Sequence, residues 1–153
     1  MNPRISESEY RHGLMDGLWK NEMFLKKSEL DPKMIVLMKY RVSQINSCAY
    51  CLDMHSKEAI RLGESDLRLH GMAAWKEAPY YSETERAVFA FAEALTNINV
   101  QDLPQKAFDD LDRFFTKSQI ADLILAVSQI NTWNRVLRAL GSVPGNYKPG
   151  QFE

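Results

Sequence analysis

The sequence predicts an all-α fold in a single domain. Its 153 residues are the length of one ordinary domain. Glycine and proline are scarce, with 7 and 6 residues, whereas residues of high helix propensity are plentiful. Helix-capping signals divide most of the chain into segments whose apolar residues recur with helical spacing, and no segment shows the alternation typical of a β-strand. These observations together favour a bundle of helices.

The first two predicted helices begin at capping signals. Ser6–Glu9 resembles a capping box and predicts a helix running toward Lys27, although Gly13 weakens it. The Asp31–Pro32 pair predicts the second start, with aspartate as the N-cap and proline at the first helical position. The apolar residues that follow predict a mostly buried helix as far as Ile45.

The middle of the chain predicts two more helices. Ser47 is expected to cap a helix over residues 48–62, which Gly63 closes as a C′ glycine. Ser65 is expected to cap a short helix that runs through Met72.

The last third predicts three helices and an irregular tail. Ser82–Glu85 and Thr116–Gln119 are further capping boxes, and Pro104 begins the helix between them. The long last helix ends at Gly141. We therefore expect one helical domain over residues 1–141 and an irregular C-terminal tail over residues 142–153.

Composition and charge exclude several classes of function. The 19 basic and 20 acidic residues leave a net charge of −1, which argues against a nucleic-acid partner. The amino-terminal residues are polar and lack the apolar centre of a secretory signal, and no apolar run approaches the length of a membrane span. We expect a cytoplasmic protein with no membrane partner.

Two cysteines and a histidine form the one constellation that carries chemistry. Three residues of a helix turn about 300° and seven turn about 700°, so Cys48, Cys51 and His55 are predicted to share one stripe. At the first turn, free N–H groups favour a thiolate at Cys48, and Cys51 and His55 are spaced for contact. A thiol pair at this spacing can close and reopen a disulfide, and the imidazole can take a thiol proton.

Other interpretations of the same residues remain open. Small buried cysteines are common in cores. Two thiolates and an imidazole are also three plausible zinc ligands, although a continuous helix is an unusual zinc site and the fourth ligand would have to come from His12, His70 or a carboxylate. A thioredoxin-like site is disfavoured because no βαβ unit is predicted. We therefore expect no metal and no cofactor.

The segment from Ser43 to His55 resembles the core motif of the alkylhydroperoxidase D-like, or carboxymuconolactone decarboxylase-like, family. The resemblance extends over nearly the whole chain, through Ala59, Leu62–Glu64, Trp75 with Pro79, Glu85–Ala87 and Ile130–Arg135. It implies an all-helical oligomer, a trimer or hexamer, with the cysteine helix partly buried near a subunit boundary. It also implies a thiol peroxidase in which Cys51 attacks the hydroperoxide, Cys48 resolves and His55 belongs to the proton relay. An external dithiol or lipoyl-bearing protein would be the reductant.

Two positions depart from the family pattern. The family's relay glutamate lies twelve positions before the first cysteine, where this chain has Val36. A histidine can stand between the family's cysteines, where this chain has Tyr50, which can donate a hydrogen bond but is a poor base. Glu85 and Glu93 are the candidate substitutes for the relay carboxylate. Their simpler interpretations are that Glu85 is a capping residue and that Glu93 is a solvated residue.

Two alternative functions follow from the same analysis. The decarboxylase branch of the family suggests a lyase acting on a lactone-like carboxylate, although that branch does not generally depend on a cysteine pair. The absence of a carboxylate at Val36 keeps a non-catalytic, redox-sensing helical assembly open. The remaining residues have structural interpretations: core or subunit contacts for Trp19, Trp75, Met34 and Met38, a core or pocket position for Trp133 to Arg135, solvated positions for Asp53 and Glu58, and surface positions for His12 and His70.

Overall fold

The computed structural model describes residues 2–152, and over that range the chain is helical without a strand. Met1 and Glu153, the outer ends of the two ranges expected from the sequence, lie outside the described residues. A 3₁₀ turn over Met72–Ala74 follows the fourth helix. The α-helices are α1 (Asp16–Leu25), α2 (Pro32–Ile45), α3 (Ala49–Arg61), α4 (Asp66–Gly71), α5 (Glu83–Thr96), α6 (Gln105–Asp112) and α7 (Lys117–Leu140).

Helix α2 lies at the centre of the core. Helix α2 packs against α3, α5 and α7, and α6 closes the far side of α5. Apolar side chains from these helices exclude solvent almost completely, so burial of this surface supplies most of the driving force for folding. The largest fully buried apolar side chains are Phe89, Phe91, Leu37, Met38, Met72, Leu111, Leu123, Ile130, Val42, Val88 and Val127.

Local capping explains where most helices begin and end. Both predicted capping boxes form at the starts of α5 and α7, and the Asp31 side chain accepts a hydrogen bond from the Lys33 N–H before α2. Gly141 ends α7 in the left-handed conformation, at φ 74°. Free N–H groups at a helix start and free carbonyls at its end require such partners, so these boundaries follow from nearby residues.

The first predicted helix is wrong in its extent. Ser6 and Glu9 do exchange hydrogen bonds, with the Ser6 N–H 2.8 Å from a Glu9 carboxylate oxygen, but they close only an isolated turn. Gly13 has a φ of 83°, which interrupts a right-handed helix, and α1 begins at Asp16. No residue of α1 is fully buried.

None of the helices formed by residues 2–152 is long and apolar enough to cross a membrane.

Candidate functional site

Cys48 and Cys51 are joined by a disulfide at the amino-terminal end of α3. Their Cα atoms are 5.3 Å apart, within the usual range for a disulfide. Cys48 is the N-cap of α3, and its sulfur lies 3.4 Å from the backbone nitrogen of Cys51, which donates to it. Only 1% of Cys48 and none of Cys51 is exposed. A reagent reaching the sulfurs therefore has to displace or pass between side chains.

Ser47 is not the cap that the sequence predicted. Its φ of 53° lies in the left-handed region, and it is the only residue other than glycine with a positive φ between residues 2 and 152. The left-handed turn ends α2 and reverses the chain, and the Cys48 N–H then donates to the Ser43 carbonyl at 3.0 Å. This turn places the cysteine sulfur, rather than a serine hydroxyl, at the start of α3.

His55 lies one turn beyond Cys51 on α3 and is 5% exposed. Its Nε2 atom is buried and has no hydrogen-bond partner. Burial, reinforced by the positive charge of Lys39, lowers the pKa of the imidazole to about 3. His55 is therefore neutral at pH 7 while the disulfide is closed. An imidazole of that pKa is a weak base, and it accepts a thiol proton only where the thiolate formed beside it stabilises the imidazolium.

A partly buried ion pair supplies the charge that acts on His55. The Lys39 ammonium lies 2.8 Å from a carboxylate oxygen of Glu22, and both side chains are mostly buried. The indole Nε1 of Trp133 donates to the other oxygen of Glu22 at 2.9 Å. Sequence reasoning missed Glu22 because it precedes the cysteine motif by a whole helix and belongs to no recognisable motif. Val36, at the family's glutamate position, packs against the apolar core.

A ladder of buried amides links α2 to α7 beside the cysteine turn. Asn134 is fully buried, and its side chain donates to the Ser43 hydroxyl at 3.1 Å and accepts from the Asn46 amide at 2.9 Å. The Asn46 amide also donates to Asn131. The ladder fixes the last turn of α2, from which the chain enters the Cys48 turn. Asn134 is thus a structural residue of the core, whereas Arg135 is exposed.

The two carboxylates suggested as relay substitutes are already engaged elsewhere. Glu85 completes the capping box of α5 and pairs with Arg68. Glu93 is not solvated as predicted: it accepts from the Trp75 indole at 2.8 Å and pairs with Arg41 at 2.7 Å. Burial raises the pKa of the Glu93 carboxyl, but hydrogen bonds led by the Trp75 indole outweigh it and lower the pKa overall. Glu93 is therefore ionised at neutral pH and held by several donors.

Asp53 and Glu58 are also not simply solvated, because both hold the C-terminal tail against α3. An Asp53 oxygen accepts from the Gly145 N–H at 3.0 Å. Glu58 accepts from the Tyr147 hydroxyl and from the Gly150 N–H, the latter at 2.9 Å. The tail has no helix up to residue 152, but it packs on the helix that carries the cysteines.

The other side chains singled out in the sequence fall into three settings. Tyr50 is half-buried, and burial with the nearby charge of Asp53 raises the pKa of its phenol, which keeps it protonated at neutral pH. Trp75 belongs to the core, whereas Trp19 is 37% exposed. Core positions for Met34 and Met38 and surface positions for His12 and His70 are confirmed. Among residues 2–152, no three histidine, cysteine or acidic side chains gather closely enough to hold a metal ion.

Comparisons with known proteins agree with this architecture. The model of the carboxymuconolactone decarboxylase family matches residues 13–94. The uncharacterized protein YdfG of Bacillus subtilis is 34% identical over 142 residues, which are 93% of this chain and 97% of YdfG.

Two solved structures extend the comparison. A protein of unknown function from Agrobacterium tumefaciens, provisionally described as the antioxidant defence protein AhpD, superposes with a TM-score of 0.90 at 33% identity and covers 95% of this chain and 100% of its own. The debrominase Bmp8 has the same fold, with a TM-score of 0.76 at 19% identity over 87% of this chain and 72% of its own. At that identity the Bmp8 likeness concerns the fold alone.

Proposed function

The chain belongs to the carboxymuconolactone decarboxylase family, with an AhpD-like fold, and on that premise we propose that it is a thiol-dependent peroxidase. In this proposal Cys48 and Cys51 cycle between dithiol and disulfide while a hydroperoxide is reduced. The observation that carries it is the bonded cysteine pair at the start of α3 with the neutral, buried His55 one turn away. That arrangement supplies two thiols and a proton acceptor in one place.

The proposed cycle begins with the reduced protein. His55 takes the proton of the Cys51 thiol, and the thiolate attacks a peroxide oxygen. A sulfur–oxygen bond forms, the O–O bond breaks, and the alcohol leaves with the proton that His55 held. Cys51 is then a sulfenic acid, and the Cys48 thiol condenses with it to give the disulfide and one water molecule.

Return to the dithiol requires an external reductant. We expect a protein dithiol or a lipoyl group, which becomes a disulfide as Cys48 and Cys51 are reduced. The position of Cys48 supports its part in this step. Its sulfur accepts a hydrogen bond from the Cys51 N–H, and that bond stabilises a thiolate at Cys48 when the disulfide opens. We place this chemistry in the cytoplasm and in a homo-oligomer, a trimer or hexamer.

Variants of the two cysteines are expected to stop the reaction at different steps. Cys51→Ser should abolish consumption of an organic hydroperoxide in a coupled assay with excess dithiol. Cys48→Ser should allow a single turnover and leave a sulfenic acid on Cys51, which mass spectrometry after dimedone labelling detects. Full activity in Cys51→Ser would overturn the assignment of the attacking thiol.

A pair of histidine variants tests the proton acceptor. His55→Gln is expected to slow the peroxide reaction about 100-fold or more, because general acid–base catalysis of this kind contributes about that much. His12→Gln is the matched control, since His12 is exposed and remote from α3 in the sequence. Equal losses in the two variants would contradict the role of His55. Activity toward a lactone-like carboxylate after both thiols were alkylated would instead favour a lyase.

A further inference from the structure

The C-terminal segment, residues 142–152, is held on α3 and α1 by contacts of two kinds. The first are polar: the Lys57 ammonium donates to the carbonyls of Gly145 and Tyr147 at 3.0 and 3.1 Å, in addition to the contacts that Asp53 and Glu58 make. These bonds lie at exposed or partly exposed positions. Tyr147 is buried and keeps the middle of the segment on α3, whereas residues 151 and 152 are exposed, so the last residues can move without the whole segment leaving α3.

The second kind of contact is a continuous row of aromatic rings. Tyr147 and Phe152 lie with ring centroids 5.7 Å apart, and the Phe152 ring lies 4.9 Å from Trp19. Trp19 in turn lies 5.2 Å from Trp133 of α7. The end of the chain thus seats its own aromatic ring on a tryptophan of α1. Phe152 is 38% exposed, whereas Tyr147 is buried.

Two chains of contacts link the aromatic row to His55. Glu58, which holds the Tyr147 hydroxyl, is three residues after His55 on α3, and side chains at that spacing are neighbours on one helix face. Along the other chain of contacts, the Trp133 indole binds Glu22, and Glu22 binds the Lys39 ammonium that acts on the imidazole. An apolar group resting on the tryptophans would therefore touch the chain of contacts that runs from Trp133 through Glu22 and Lys39 to His55.

We propose that Trp19 and Trp133 form a binding site for the aromatic or bulky apolar part of an organic hydroperoxide, and that Phe152 of the chain's own C-terminal segment occupies this site in the free protein. The proposal rests on the proposed peroxidase function for the identity of the substrate. Phe152 shows that an aromatic ring fits against Trp19. The residue is 38% exposed, and the Lys26 ammonium that donates to its carbonyl at 2.9 Å is exposed as well, so the ring can be displaced. Hydrogen peroxide has no apolar part and gains nothing from the site.

Binding can be tested without any peroxide chemistry. The probe is 2-phenylpropan-2-ol, the alcohol formed from cumene hydroperoxide, titrated into the oxidised protein while the indole N–H signals are followed by NMR. The chain has three tryptophans, and Trp75 is a built-in reference because it is buried and its indole donates to Glu93. The signals of Trp19 and Trp133 should shift with the titration, and that of Trp75 should not.

Two variants and a control give the direction of the effect. Phe152→Ala removes the competing ring and should tighten binding of the alcohol about twofold to tenfold, the range expected for one aromatic contact. Trp19→Ala removes the surface itself and should weaken binding by at least as much. Phe24→Ala, on the same helix and 58% exposed, should leave binding unchanged. An affinity for the alcohol that is the same in Phe152→Ala, Trp19→Ala and the wild type would overturn the proposal.

Kinetics then separates this proposal from the peroxidase function. Trp19→Ala should raise the KM for cumene hydroperoxide by a larger factor than the KM for hydrogen peroxide. If the alcohol binds as described but no hydroperoxide is consumed, the aromatic site stands and the peroxidase function fails. If each peroxide is consumed and its KM in every variant equals its KM in the wild type, the peroxidase function stands and the aromatic site fails.

Discussion

Acidification should destabilise the oxidised protein through His55. Its pKa is about 3 in the folded chain and 6.5 in an unfolded one. Above pH 6.5 both states hold a neutral imidazole. As the pH falls below 6.5, the unfolded chain binds a proton that the folded chain does not, so unfolding becomes more favourable until the pH approaches 3.

The size of the effect follows from that difference in pKa. Each pH unit between the two values costs about 1.4 kcal/mol of folding free energy. Between pH 7 and pH 5 the wild-type protein should therefore lose about 2 kcal/mol through this one imidazole. The loss is appreciable because the whole stability of a domain is about 5–15 kcal/mol.

The measurement compares the wild type with His55→Gln. Both proteins, with the disulfide intact, are unfolded in urea at pH 7 and pH 5, and the free energies of unfolding are extrapolated to water. Every other side chain is the same in the two proteins, so its contribution cancels in the comparison. The wild type should lose about 2 kcal/mol more than His55→Gln does.

Two results would refute this reasoning. One is an equal loss of stability in the two proteins. The other, which does not depend on the variant folding, is an NMR titration in which the His55 imidazole takes up its proton near pH 6.5. Either result would mean that the buried environment of His55 does not keep it neutral.

Three further substitutions test the packing of the helices. Asn134→Leu should lower the free energy of unfolding by about 1–3 kcal/mol, because the hydroxyl of Ser43 loses a buried hydrogen-bond partner. The midpoint of urea unfolding measures this loss, and an unchanged midpoint would contradict the amide ladder. Gly71→Ala would place a Cβ 1.8 Å from the Tyr80 hydroxyl oxygen and should destabilise by about 1–3 kcal/mol, whereas Gly17→Ala meets no atom within 4 Å and should stabilise α1 by up to about 1 kcal/mol. The same sign for both glycine variants in thermal unfolding would contradict this.

Local signals located most of the helices correctly. The starts of α5 and α7 were predictable because a capping box involves residues only three apart, and the end of α7 was predictable because Gly141 adopts a conformation that favours glycine. The same rule was wrong at Ser6–Glu9, where the Ser6 N–H donates to the Glu9 carboxylate but the Glu9 N–H donates to the Ser6 carbonyl, and Gly13 interrupts the segment. It was also wrong at Ser47, whose left-handed backbone is set by the reversal between α2 and α3.

Burial of charged residues could not be read from the sequence. Asp53, Glu58 and Glu93 were each expected in solvent because an acidic residue usually lies there. Each instead accepts hydrogen bonds from groups on other elements, such as the Trp75 indole and the Gly145 N–H. Periodicity shows which face of a helix is polar, but it does not show what packs against that face.

The sequence alone determined the helical class and the stripe of Cys51 and His55, because both depend on the geometry of a single helix, whereas Cys48 is the N-cap that the Ser47 turn places. Only the tertiary structure decided how that stripe is surrounded: a neutral imidazole, the Glu22–Lys39 pair and the C-terminal segment over α3. The physical reason is distance along the chain. Trp133 reaches Glu22 across 111 positions and Tyr147 reaches Glu58 across 89, and contacts of that separation exist only once the helices have packed.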